Sequence, residues 1–99
     1  MVSLMTEQQQ DIVLIGKKPT MNYVVACLTL FNSGKQTITV RARGFVISHA
    51  VDTVELLRRA FIKDLEVQKI TIGSQDFKRA SGLSSSVSTI DIIISRSNV

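Results

Sequence analysis

The apolar positions of this chain change period several times, and each change predicts an element. Asp11 to Ile15 is a short, β-branched apolar run closed by Gly16, the pattern of a buried strand. Lys17, Lys18 and Pro19 follow, and proline opens a helix readily because the N–H it lacks has no partner there anyway. Met21, Val24, Val25, Leu28 and Phe31 recur at helical spacing, and Asn32-Ser33-Gly34 predicts the stop, with glycine free to turn left-handed. From Gln36 to Arg43 the chain alternates: Ile38, Val40 and Ala42 share one face, and Thr37, Thr39, Arg41 and Arg43 the other. After Gly44, the apolar residues Ile47, Ala50, Val51, Val54, Leu57 and Phe61 predict a second amphipathic helix over 46–61. Glu66 to Gly73 and Val87 to Ser95 read as two further strands. The intervening segment 74–86 is serine-rich and has no period, which predicts a long mobile hairpin arm. Residues 1–10 also lack a period and end in glutamines, so a flexible tail is expected there, with the domain running from 11 to 99.

The element order β-α-β-α-β-β predicts an α/β fold, a two-layer sandwich with both helices on one face of the sheet. A crossover from a strand through a helix to a second parallel strand is almost always right-handed, and if the first two strands are parallel their C-terminal ends lie at the same edge. That topology brings Lys17 and Lys18, just past the first strand, beside Arg41 and Arg43 at the end of the second. Both helices start at that edge, and their unpaired N–H groups favour anions. The first strand is apolar on both sides, and Ile92, Ile93 and Ile94 stand in succession in the last. Some apolar surface is therefore left over, and a two-fold dimer is the simplest cover.

Charge sharpens this picture. Twelve Lys and Arg against eight Asp and Glu give a net charge of +4 over 99 residues, and a small basic domain commonly has a polyanionic partner. One cysteine excludes an internal disulfide framework, and one cysteine with one histidine makes a tetrahedral protein-only zinc site implausible. No apolar run approaches the ~20 residues of a membrane span, and the N-terminus has no signal-peptide pattern. An intracellular, reducing compartment is expected, with no cofactor and no membrane partner.

The remaining candidate chemistry is weak. The fragment GKKPT lacks the earlier glycine and the Lys-Ser/Thr pair of a phosphate loop. Asp52 and Glu55 share a helical face but are more simply read as balancing Arg58 and Arg59. His49 reads as a surface or capping residue with no nucleophile partnered to it, and Cys27 as a small buried side chain. Phe61 reads equally as core or as an exposed contact residue. No enzymatic activity is expected.

The stretches VLIGKKPTMNYV (13–24), RARGFVISHAVDTVE (41–55) and SSVSTIDI (85–92) resemble the Alba family of small archaeal chromatin proteins, and the likeness runs from about Asp11 to Ser95. The resemblance implies a dimer, either of identical chains or with a paralogue, whose hairpin arms reach along duplex nucleic acid. It implies phosphate contacts from Lys17 and Lys18, with acetylation of Lys17 weakening them. Basic positions of the body fall on Arg41 and Arg43, the motif also covers Asn22 and Tyr23, and Phe61 matches an aromatic used where dimers pack side by side. Lys78 and Arg79 supply cations in the arm. Phe45 and His49 stand where the family often has basic residues. The expected function is sequence-independent binding and packaging of double-stranded DNA by a cytoplasmic, chromosome-associated protein, with RNA binding as the alternative.

Overall fold

The computed structural model describes residues 11–97, so the tail expected over 1–10 lies outside the described residues. Four strands form one sheet in the order β1-β2-β4-β3, where β1 is Ile12–Leu14, β2 Thr37–Arg43, β3 Leu65–Lys78 and β4 Ser84–Arg96. Helices α1 (Thr20–Asn32) and α2 (Ile47–Leu56) complete the mixed α/β fold. β1 and β2 are parallel, with Leu14 opposite Arg41, which meets the condition for a shared strand-end edge. β4 is antiparallel to both β2 and β3.

One sheet face is the core face. Val13 and Ile15, Ile38, Val40 and Ala42, and Ile90, Ile92 and Ile94 are buried, together with Tyr23, Val24, Cys27 and Phe31 of α1 and Ala50 and Val54 of α2. Each fully buried side chain of Ile38 or Leu57 size contributes about 1.5–3 kcal/mol. The buried face of α1 differs from the expected stripe. Met21 and Val25 are exposed, while Tyr23 and Cys27 are buried. This helix is apolar around most of its circumference, so its period alone does not select the face. At its end Ser33 is the cap and Gly34 turns left-handed at φ 107°. The amides of Gly34 and Lys35 then donate to Phe31 and Leu30, closing the last turn.

The second helix is shorter and less regular than its sequence suggests. It begins after a 3₁₀ turn, Gly44–Val46, and ends in a widened turn, Leu57–Phe61, closed by the Ile62 amide donating to the Leu57 carbonyl at 2.8 Å. Leu57 stays buried, but Val51 and Phe61 emerge exposed.

The largest difference concerns the arm. Residues 74–86 are not an irregular loop: β3 and β4 pair continuously out to Lys78 and Ser84, and only the turn 79–83 lies outside the ladder. The polar, serine-rich composition fits a ribbon with solvent on both faces, which has no burial to impose a period. A bulge at Gln68, between Val67 and Lys69, shifts the phase of β3. Beyond it Ile70 and Ile72 pair with Ile92 and Ile90 on the helix side of the sheet, yet they remain 56% and 77% exposed. The uncovered apolar surface therefore includes β3, besides exposed Ile12 and Leu14 of β1.

Candidate nucleic-acid interface

The C-terminal ends of β1 and β2 form a common rim. The Ile15 amide donates to the Arg41 carbonyl at 2.8 Å, so the Gly16-Lys17-Lys18 loop leaves β1 level with the end of β2 at Arg43. Lys17, Lys18 and Arg43 are all exposed. Both helices start from this rim, and Pro19 and Val46 occupy their N-cap positions, where neither side chain accepts a hydrogen bond. The first turns carry no acidic residue, so their N–H groups keep an affinity for anions.

The lysine loop is held from below. The Tyr23 hydroxyl oxygen accepts the amides of Gly16 at 2.9 Å and Lys18 at 3.0 Å. Tyr23 is buried, and its ring meets His49 edge-on at a centroid distance of 5.7 Å. Nε2 of His49 lies 2.8 Å from the Thr20 hydroxyl, which ties the two helix starts together. Tyr23 thus positions the loop and offers a ligand little surface, whereas Asn22, one residue earlier, is exposed in the first turn of α1.

The two arginines lie on the open sheet face, as the alternation of β2 requires, but they differ. Nε and Nη2 of Arg41 donate to the two carboxylate oxygens of Asp91 at 2.8 and 2.9 Å across the β2–β4 ladder. The hydrogen bonds to Arg41 hold the Asp91 carboxyl below its ordinary range, and the same bonds raise the guanidinium further. Arg41 therefore reaches the rim with its charge already matched. Arg43 is held by a neutral partner, with Nη1 donating to Gln75 Oε1 at 3.1 Å, and retains its full charge. Gln75 carries no signal in the sequence until the register is known, and Asp91 only a faint one. An acidic residue inside an isoleucine-rich strand was the one available hint.

The ribbon extends from the same end. Pairing of β4 with β2 stops at Thr89 opposite Arg43, and five more pairs, from Ser74–Ser88 to Lys78–Ser84, carry β3 and β4 onward. At roughly 3.4 Å per residue this sets Lys78 about 17 Å beyond the rim. Arg79 sits in the tip, where its Nε donates to the Ser85 hydroxyl at 2.7 Å and its amide and carbonyl close the turn. Lys17, Lys18, Asn22, Arg41 and Arg43 thus share the rim, Lys78 and Arg79 form a separate basic tip, and Phe61 is 45% exposed after α2. Among the described residues no helix is long and apolar enough to cross a membrane.

A cationic rim with open helix N-termini and a basic two-stranded arm describes a small α/β nucleic-acid-binding protein. The Alba family model matches residues 11–74. Alba from Thermoplasma volcanium is 44% identical with a TM-score of 0.81, covering 87% of this chain and 100% of that one. ALBA1 from Trypanosoma brucei is 27% identical with a TM-score of 0.72, covering 90% of this chain and 71% of that one. The chain belongs to the Alba family of nucleic-acid-binding proteins.

Proposed function

We propose that this protein binds double-stranded DNA without strong sequence preference and packages it. The observation that carries the reading is the arrival of Lys17, Lys18 and Arg43 at one rim, from which the ribbon bearing Lys78 and Arg79 also extends. Ammonium and guanidinium groups displace condensed counterions from phosphates, and their release drives association whatever the sequence. The cations of the rim and the ribbon tip lie in a loop, at a strand end and at the ribbon's end, and none of them forms the row along a helix that reads base edges in a major groove. Asn22 adds a neutral donor beside the lysines, and Arg41 serves the rim as half of a neutral pair.

The working unit of this proposal is a dimer, of identical chains or with a paralogue. Exposed Ile70 and Ile72 on the helix side of β3 supply an apolar strip that a second copy would cover. Phe61 would then be available for contacts between neighbouring dimers. Lys17 is exposed, and its acetylation would remove one rim cation.

Titration of matched DNA and RNA duplexes at several salt concentrations tests the reading. Replacing Lys17 and Lys18 by alanine is expected to weaken binding equally on unrelated sequences. The salt slope should fall by about one to two units per subunit. An unchanged slope would remove the rim from the interface, and a marked preference for the RNA duplex would make RNA the target.

A further inference from the structure

Phe45 is wholly exposed. A single exposed aromatic is ordinary; its position is what makes this one informative. It is the middle residue of the 3₁₀ turn Gly44–Val46, two residues past Arg43. Gly44 adopts φ 65°, and a Cβ there would stand 3.1 Å from Val87 Cγ2, so the turn lies hard against β4 at the root of the ribbon. Val46, on the other side, packs against the core. The backbone is thus held on both flanks while the ring between them stands in solvent.

The sheet order fixes its neighbours. On one side is the Gly16-Lys17-Lys18 loop leaving β1, and on the other the ribbon formed by β4 and β3. A flat apolar ring therefore rises between the lysine loop and the root of the ribbon, two residues past Arg43. Base–aromatic stacking flanked by backbone-binding cations is the usual way a protein holds an unstacked nucleotide. In a continuous duplex both faces of a base are covered by its neighbours, so the ring needs a base that has left the stack.

We propose that Phe45 stacks on an unpaired nucleobase, giving this protein a preference for duplexes interrupted by a bulge or a single-strand junction. The proposal rests on the phosphate-binding role of the rim. Its test uses the full chain and two fluorescently labelled duplexes, one continuous and one with a single bulged 2-aminopurine, each made as DNA and as RNA. Phe45→Ala is expected to lose about 5- to 150-fold in affinity for the bulged duplex, the range set by stacking energies of about 1–3 kcal/mol per base. Affinity for the continuous duplex should stay within twofold, and quenching of 2-aminopurine by the wild type should vanish. Phe45→Tyr should restore both readouts and Phe45→Leu should not. The ring is fully exposed, so these variants leave the core untouched. Equal losses on both duplexes, or full rescue by leucine, would overturn the stacking assignment. If the wild type binds both duplexes and Phe45→Ala matches it on both, the ring lies outside the interface while the rim reading survives. If the wild type binds neither, both proposals fall.

Discussion

Asp91→Asn isolates what the carboxylate does to the rim. In the folded protein the two hydrogen bonds from Arg41, at 2.8 and 2.9 Å, match a positive with a negative charge. Both side chains are partly exposed, at 46% and 30%, so water screens the pair and its worth to stability is about 0.2–1 kcal/mol. The variant should therefore lose no more than that in a urea titration. Its effect on binding should be larger in kind. Freed of its counter-charge, Arg41 becomes a further phosphate ligand beside Arg43, and one added contact steepens the slope of log K against log salt by about 0.9 per subunit. Between 200 and 50 mM salt, a fourfold change, this amounts to about 3.5-fold more gain in affinity per subunit than the wild type shows. Fluorescence anisotropy with a short duplex at four or five salt concentrations measures it. Combining Asp91→Asn with Arg41→Ala should return the slope to the wild-type value, because that double change again leaves the site neutral. A slope for Asp91→Asn that is unaltered or shallower would refute the reasoning, and a shallower slope would mean that the carboxylate aims Arg41 at a phosphate. The pair also sets a pH dependence. The Asp91 carboxyl is held below its ordinary range, so its contribution is present above the unfolded-state value and disappears as pH falls through the folded one. Asp91→Asn should flatten the acid limb of stability by that small amount.

Two further outcomes follow from the interior. Tyr23→Phe removes the acceptor for the Gly16 and Lys18 amides, leaving two partly buried donors unpaired; a loss of about 1–3 kcal/mol is expected in urea unfolding, with weaker duplex binding at unchanged salt slope, and wild-type stability would show that the loop does not depend on the hydroxyl. Burial raises the Cys27 thiol from 9.0 to about 11. Stability should therefore decline as pH rises from the first value towards the second, and iodoacetamide should label the thiol only once the chain unfolds; rapid labelling of folded protein at pH 8 would contradict the packing.

Much of this protein is legible in its amino-acid order. The strands and helices announce themselves by period and the stop at Gly34 by residue type, while the parallel pairing of β1 with β2 entered as a condition that the sheet meets. Once those are in place, the meeting of Lys17, Lys18 and Arg43 follows, because parallel strands end at the same edge. Features that depend on contacts between distant segments are not legible. The buried side of α1 was settled by what the sheet offered, since Met21 and Val25 are as apolar as residues that went inside. The ribbon over 74–86 is stabilised by ladder hydrogen bonds, which leave no mark on side-chain polarity when both faces meet water. The bulge at Gln68 becomes visible only when Val67 and Ile70 are seen to pair on the same face with Ile94 and Ile92.

The order of residues by itself determined that this chain would be a basic two-layer α/β domain with cations gathered at one strand-end edge, because period, handedness and turn chemistry act locally. Tertiary structure decided which of those cations carry free charge. Arg41 meets Asp91 fifty positions along the chain and Arg43 meets Gln75, and the difference between a neutralised and a retained charge depends on the β2–β4–β3 register, which only the packed sheet establishes.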